Sequence, residues 1–177
     1  MKDQCIIIID PQKDFTSEEG AYAIRHPQLR EIKQATERIQ QLLDRATGYD
    51  LIVVYSNYQQ DQFGENLLLC IPGTAGHELG IEVSPETIIL SKAAHSAFTD
   101  AVFAAFIQER KYKRLFLGGF LAEYCVKQTA LDALQQGYPV SMIGDCIATG
   151  DDVRERIAAV LKEAEENGAV IISADQL

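Results

Sequence analysis

The stretch of sequence that decides the fold class is Cys5-Ile6-Ile7-Ile8-Ile9, which ends at Asp10-Pro11. Its apolar residues, most of them β-branched, follow one another without polar alternation. Such a run predicts a strand that is covered on both faces, as the strands of parallel sheets are. The run therefore indicates an α/β protein that is built around a buried sheet.

Apolar strands and amphipathic helices alternate along the rest of the chain. The segment from 58 to 80 reads as a long loop, because it carries Pro72-Gly73, Gly76 and Gly80. No repeat or linker divides residues 1–177, so we expect one domain with a Rossmann-like three-layer α/β/α fold and a mostly parallel sheet of about six strands. The strands are predicted at 5–9, 51–55, 87–90, 114–117, 139–143 and 169–172, and the helices at 28–45, 97–109, 123–136 and 151–166.

Composition excludes several classes of partner. The chain has 177 residues and a formal net charge of -10, whereas phosphate binding needs clustered Lys and Arg, so we expect no nucleic-acid partner. We expect no membrane segment, because no apolar stretch reaches spanning length. Its four cysteines show no Cys-x-x-Cys spacing, which argues against a disulfide framework or a thiolate zinc site. The protein reads as cytoplasmic, with free thiols.

Three reactive side chains are predicted at one edge of the sheet. Parallel sheets bind ligands at the carboxyl ends of their strands. Asp10 ends the first strand, Lys92 follows the third, and Cys125 lies near the start of the helix after the fourth. A carboxylate can take a thiol proton, and a cation with a helix N-terminus can lower the thiol pKa. Taken alone, an aspartate such as Asp10 is more often a cap, a lysine such as Lys92 is more often solvated, and a cysteine such as Cys125 is more often a buried apolar residue. Only the occurrence of all three at one sheet edge favours a functional role.

Five segments, in order along the chain, resemble motifs of the isochorismatase-like cysteine hydrolases. The opening motif of that family, an apolar strand followed by Asp-x-Gln-x-Asp-Phe, is matched by residues 7–15. Its Cys-x-x-Gly-Thr-x-Gly loop is matched by residues 70–76, and its lysine segment by 92–98. Its nucleophile motif is similar to residues 119–126, and its Asp-Ala-Cys motif to 144–146, with the glycine in a different place.

The resemblance implies the roles of these residues. Asp10 would be the general base, Lys92 its cationic partner and Cys125 the nucleophile, held as a thiolate. The family also has a cis peptide, here between Phe120 and Leu121, which aims the backbone N–H groups of Leu121 and Cys125 at one point as an oxyanion hole. We expect hydrolysis of a small amide or of a carbamoyl or ureide C–N bond through a thioester on Cys125, in a homo-oligomer (dimer or tetramer).

The chain departs from one branch of the family, the nicotinamidases. These carry an Asp-x-His pair and a further His as metal ligands, where this sequence has Tyr58, Gln60 and Leu69. We therefore expect no metal and no cofactor. Phe15, Tyr58 and Leu69 would line a fairly apolar pocket for a small neutral substrate, although Phe15 could equally be core.

Alternatives stay open at this stage. The first is a vinyl ether hydrolase of the isochorismatase type, and the second is a nicotinamidase with an atypical metal site built from Asp61, Glu65 or His77. A nucleotide- or flavin-binding module lacks its glycine-rich phosphate loop here. A non-catalytic scaffold would be expected to lose at least one of the three reactive residues. Asp14 reads as a loop residue, Cys5 and Cys146 as inert, and Cys70 as packed beneath its loop.

Overall fold

A sheet of six parallel strands forms the centre of the protein, in a computed structural model that describes residues 2–65 and 67–177. The strands are β1 (Gln4–Ile9), β2 (Asp50–Ser56), β3 (Ile88–Lys92), β4 (Arg114–Phe120), β5 (Val140–Ala148) and β6 (Val170–Ile172). The α-helices are α1 (Lys13–Thr16), α2 (Arg30–Arg45), α3 (Ala101–Arg110), α4 (Lys127–Gln135) and α5 (Glu155–Glu166).

The strand order β3-β2-β1-β4-β5-β6 places the isoleucine run in the middle of the sheet. Ile6 and Ile8 pack in one apolar cluster with Ile32 and Ile39 of α2. Ile7 points to the opposite face, where its cluster contains residues of α3, α4 and α5. Both faces of β1 are therefore covered, which explains its unbroken apolar character. The predicted three-layer α/β/α fold with a parallel sheet of six strands is confirmed.

Two predicted helices open with a 3₁₀ turn, so their α-helical part begins later than the periodicity indicated. The predicted helix 97–109 is a 3₁₀ turn (Ala97–Thr99) followed by α3, and the Asp100 carboxylate accepts hydrogen bonds from the N–H groups of Val102 and Phe103. That cap starts a new helix inside the apolar run. Likewise, the predicted helix 151–166 is a 3₁₀ turn followed by α5.

Three further boundaries of helices and strands differ from the predicted ones at the carboxyl edge of the sheet. The predicted helix 123–136 opens with a π-helical turn (Ala122–Val126), and α4 starts only after it. The strand predicted at 139–143 continues to Ala148 as β5, because its pairing with β4 shifts register and then resumes. Lys92 is the last residue of β3 rather than the residue after it.

Asp14 is not the loop residue that the sequence indicated. It lies in α1 and is buried, and its carboxylate accepts hydrogen bonds from the backbone N–H of Cys70 (2.6 Å) and of Ala21 (3.0 Å). A Cβ on Gly76 would lie 2.0 Å from the same carboxylate. Asp14 therefore fixes the long loop against the amino-terminal part of the site, as a buried carboxylate with its own donors can.

Gly119 marks the closest approach between β1 and β4. Its φ is +121°, and a Cβ at this position would lie 2.0 Å from the carbonyl oxygen of Ile9. Both the backbone angle and the contact therefore require glycine. This close pairing holds the end of β1, and with it Asp10, beside the end of β4.

We expect Gly119→Ala to lower the free energy of unfolding by about 3 kcal/mol or more, because a backbone clash adds to the strained φ. Gly137→Ala is the matched control: its φ is also positive, at +85°, but nothing lies within 4 Å of the added Cβ. It should cost only about 1–2 kcal/mol. Urea unfolding measures both, and equal costs would contradict the close approach.

Candidate active site

Three strand ends and one turn bring the predicted reactive residues together. Asp10 directly follows β1 with a φ of +51°, and its backbone N–H donates to the carbonyl of Val54 in β2. Lys92 ends β3, where it pairs in register with Ser56 of β2. Cys125 lies in the π-helical turn after β4. Because β2 separates β1 from β3, the long side chain of Lys92 has to cross the end of β2 to reach Asp10.

Lys92 and Asp10 form an ion pair whose side chains are both fully buried. Lys92 Nζ donates to Asp10 Oδ2 at 2.8 Å and to Ser56 Oγ at 2.7 Å, and Ser56 Oγ donates to Asp10 Oδ1 at 2.9 Å. Burial lowers the pKa of Lys92, but its charge interactions and hydrogen bonds with Asp10 and Cys125 together raise it by more, so the pKa lies above its ordinary value. Lys92 is therefore an ammonium ion.

Three polar groups surround the sulfur of Cys125. Tyr58 OH lies 3.2 Å from Sγ, Lys92 Nζ 3.4 Å and His95 Nδ1 3.7 Å. The Lys92 ammonium donates to the sulfur, whereas between Tyr58 and Cys125 either the hydroxyl or the thiol can be the donor. Burial and the positive charge of Lys92 lower the pKa of His95, so its imidazole is neutral at pH 7.

The pKa of Cys125 moves in the direction opposite to the sequence expectation. Burial, followed by the negative charge of Asp10, raises it to about 12, and the opposing effects of Lys92 and the Tyr58 hydrogen bond are smaller. The sequence indicated the neighbours but not the depth of burial, which penalises the charged form. At neutral pH Cys125 is a thiol, and a nucleophilic role would require the loss of its proton.

The other three cysteines are free and buried, and burial raises the pKa of each of them. Cys5 lies in β1 and Cys146 in β5, and Cys70 adopts a positive φ of +51° in the long loop. None of the three lines the cavity that opens over Cys125. Buried apolar thiols of this kind behave as small hydrophobic residues.

A cavity of about 310 Å³ opens over Cys125. All three predicted pocket residues, Phe15, Tyr58 and Leu69, line it. The wall is more aromatic and more polar than the sequence indicated. The imidazole of His95 stacks between Phe63 (5.2 Å between ring centroids) and Tyr124 (5.4 Å). The remaining lining residues are Tyr22, Arg25, His26, Leu67 and Leu121.

The backbone around Cys125 is also placed at the cavity. The peptide bond between Phe120 and Leu121 is cis, and both Leu121 and Cys125 line the cavity. The oxyanion-binding role of their two N–H groups stays a prediction.

No metal-binding cluster occurs among residues 2–65 and 67–177, where no three His, Cys, Asp or Glu side chains lie close enough to share an ion. The set suggested by the sequence, Asp61, Glu65 and His77, therefore does not assemble. Instead, His77 Nε2 lies 2.6 Å from the Asn57 side chain. Gln60 is exposed at the surface.

Sequence reasoning missed Ser56, Gln12 and His95. Ser56 ends β2 at the same sheet edge as Asp10, so the rule that found Asp10 could have found it. The buried amide of Gln12 donates to the carbonyls of Ser56 (3.0 Å) and His77 (2.9 Å) and accepts from the N–H of Ser56. It thereby holds the end of β2 in place. His95 lies in a matched segment, but nothing in its spacing indicated contact with the sulfur.

The fold and the site together define a doubly wound α/β protein with a buried cysteine, aspartate and lysine at the carboxyl edge of its sheet. The family model described as "Isochorismatase domain" matches residues 4–176. The chain therefore belongs to the isochorismatase family, and it is an isochorismatase-family hydrolase.

Individual relatives agree with this assignment. Streptothricin hydrolase of Streptomyces noursei is 29% identical over 89% of this chain, but the match covers only 56% of that protein's length. The pyrazinamidase of Pyrococcus horikoshii, solved in complex with zinc, superposes with a TM-score of 0.84 at 24% identity, over 97% of this chain and 99% of that one. N-carbamoylsarcosine amidase of Thermoplasma acidophilum gives 0.81 at 20% identity, over 100% and 99%. At these low identities, the two structures show only that this chain has the same fold.

In the part of the chain that the structure describes, no helix combines the length and the apolar character that a membrane crossing requires. The cytoplasmic location and the homo-oligomeric state stay predictions.

We expect iodoacetamide to label Cys125 faster than Cys5, Cys70 or Cys146, because Cys125 lines the cavity and the Lys92 ammonium donates to its sulfur. Mass spectrometry of tryptic peptides after brief exposure of the native protein measures the order. Cys125→Ser should abolish the fast phase. If another cysteine is alkylated first, Cys125 is not the reactive thiol.

Proposed function

We propose that the protein hydrolyses the C–N bond of a small amide, carbamoyl or ureide compound through a thioester on Cys125, without a catalytic metal. One observation carries the proposal. Lys92 Nζ contacts both Asp10 Oδ2 (2.8 Å) and Cys125 Sγ (3.4 Å), and Cys125 lines the cavity. A nucleophile, a base and a group that orients the base thereby share one site.

The first half of the reaction forms the acyl-enzyme. Asp10 takes the Cys125 proton as Sγ attacks the carbonyl carbon, so that the new C–S bond forms while the S–H bond breaks. We place the oxyanion at the backbone N–H groups of Leu121 and Cys125. Asp10 then returns the proton to the leaving nitrogen, the C–N bond breaks, and the amine or ammonia departs.

The second half releases the acid. Asp10 takes a proton from a water molecule, whose oxygen attacks the thioester carbon. The C–S bond breaks, and Asp10 returns that proton to Sγ, which restores the thiol. Lys92 stays charged throughout, and its role is to hold the Asp10 carboxylate in place.

The cavity limits the size and the character of the substrate. Its volume of about 310 Å³ is at the small end of ligand pockets. Aromatic rings from Tyr22, Phe63, His95 and Tyr124 form much of the wall. Such a wall favours a small or flat substrate that can stack on these rings.

The chemistry of the donor set supports catalysis without a metal. Tyr58 occupies a position where metal-binding relatives carry a ligand, but its hydroxyl contacts Lys92 and Cys125. Leu69 has no donor atom. A thiolate that attacks a carbonyl needs no Lewis acid when backbone N–H groups hold the oxyanion.

We expect Asp10→Asn, Lys92→Met and Cys125→Ser each to lower kcat by about a thousandfold or more, and pairwise combinations to add little, because groups that act as one unit are not additive. A screen for ammonia release over small amides, ureides and carbamoyl compounds, with nicotinamide included and isochorismate tested by product analysis, supplies the substrate for this assay.

Cys146→Ser is the matched control for this experiment. Cys146 is also a buried free thiol, but it lies away from the cavity, and we expect its variant to retain activity within about twofold. Active Cys125→Ser enzyme, or losses that multiply in the double variants, would contradict the thioester mechanism. Turnover of isochorismate but of no C–N substrate would favour vinyl ether hydrolysis.

We expect turnover to survive exhaustive chelation, because no donor set for an ion forms in residues 2–65 and 67–177. The measurement is activity before and after dialysis against a strong chelator, together with metal analysis of the purified protein. A stoichiometric metal whose removal abolishes turnover, and whose return restores it, would favour a nicotinamidase with an atypical metal site.

A further inference from the structure

Tyr58 places a hydroxyl directly against the sulfur of the proposed nucleophile. The side chain is 3% exposed, and its OH lies 3.2 Å from Cys125 Sγ and 3.1 Å from Lys92 Nζ. An ammonium group has no lone pair, so Lys92 can only donate to the hydroxyl. Of the two groups that contact the Tyr58 hydroxyl, Cys125 Sγ is therefore the one that can accept its proton, once the sulfur is a thiolate.

The Tyr58 ring is held in this position by contacts on several sides. Phe63 packs edge-to-face against it, with 4.7 Å between the ring centroids. Lys92 Nζ lies 5.2 Å from the ring centroid, within the range of a cation–π contact. The backbone N–H of Tyr58 donates to the carbonyl of Cys70 in the long loop. The hydroxyl is thus fixed before any substrate enters.

We propose that Tyr58 is a catalytic residue, whose hydroxyl donates a hydrogen bond to Sγ and stabilises the thiolate that forms when Asp10 takes the proton of Cys125. This proposal rests on the proposed function. It replaces the role expected from the sequence, in which Tyr58 was part of an apolar wall.

The protons and charges balance in this step. Before it, the site contains the Asp10 carboxylate, the Lys92 ammonium and the Cys125 thiol. The S–H bond breaks and an O–H bond forms on Asp10, so the negative charge moves from the carboxylate to Sγ. Tyr58 and Lys92 keep their own protons. The Tyr58 hydrogen bond strengthens as the charge arrives, because hydrogen bonds to ions are stronger than those to neutral groups.

The surrounding groups allow Tyr58 to remain a donor during the step. Burial, and then the charges of Asp10 and the Cys125 thiolate, raise the pKa of Tyr58, so the phenol does not ionise in place of the thiol. The other titratable groups that face Sγ are Asp10, Lys92 and His95, and the lowered pKa of His95 keeps its ring neutral.

The test is the rate at which iodoacetamide alkylates Cys125 in the native protein, measured from pH 7 to 9.5. Tyr58→Phe keeps the ring but removes the hydroxyl. We expect about tenfold to a hundredfold slower alkylation at each pH, as expected for the loss of a hydrogen bond to a charged group. A variant that merely loosened the site would expose the thiol, lower its pKa and react faster, because burial is the largest cause that raises this pKa.

Tyr112→Phe is the matched control. Tyr112 is also buried, and its hydroxyl donates to the carboxylate of Asp50 (2.7 Å) rather than to the sulfur. Its variant should alkylate at the wild-type rate within about twofold. As a second variant, replacement of Tyr58 by 3-fluorotyrosine makes the phenol a stronger donor and should increase the rate severalfold.

The outcomes separate the two proposals. Slower alkylation of Tyr58→Phe, with an unchanged Tyr112→Phe, supports the assignment. If Cys125 is the first thiol alkylated in the wild type but Tyr58→Phe reacts at the same rate or faster, the role of Tyr58 is wrong and the proposed function stands. If another thiol reacts first in the wild type, both proposals fail.

Discussion

The buried ion pair between Lys92 and Asp10 is the interaction on which the site depends. Neither side chain is exposed, and each charge alone would cost several kcal/mol to bury. The pair forms only if the ends of β1, β2 and β3 lie side by side, since Lys92 crosses the end of β2 to reach Asp10. Ser56, in register with Lys92, supplies the hydroxyl between them. Strand register and electrostatics therefore support each other.

Burial also decides how the nucleophile can work. Because Cys125 is buried, a resting thiolate is unfavourable, and the pKa of Cys125 rises to about 12. The same burial strengthens every hydrogen bond to the sulfur once it is charged. A negative charge that moves from Asp10 to Sγ stays beside the Lys92 ammonium throughout. Deprotonation thus relocates a charge that the site already accommodates, rather than creating a new one.

The cavity wall carries the side chains that would select a substrate, on a fold that this chain shares with other proteins. The structural neighbours include a pyrazinamidase in complex with zinc and an N-carbamoylsarcosine amidase. A shared fold does not determine a substrate, because substrates are selected by side chains at the site. Here Tyr58 and Leu69 stand among aromatic residues, and the Tyr58 hydroxyl is directed at the sulfur. The cavity wall therefore includes a hydroxyl that contacts both Cys125 and Lys92.

Much of the architecture could be predicted from local patterns. The apolar run of β1 indicated a strand buried on both faces, and the alternation of strands and helices indicated the three layers. Since the carboxyl ends of parallel strands meet at one edge, Asp10 and Lys92 could be placed together without coordinates. The starts of helices were harder to predict, because a cap such as Asp100 begins a new helix although the apolar periodicity of the sequence continues across it.

The sequence by itself thus determined the sheet, the layers and the meeting of Asp10, Lys92 and Cys125 at one edge, because these follow from periodicity and from short motifs. Only the tertiary structure decided the protonation and the contacts of these side chains. The pKa of Cys125 depends on how completely other segments cover it, and the contact between Tyr58 and the sulfur joins residues 67 positions apart. Asp14 likewise is buried and accepts a hydrogen bond from Cys70, which is distant from it in sequence. Burial and long-range contact are properties of the packed molecule, and no local pattern specifies them.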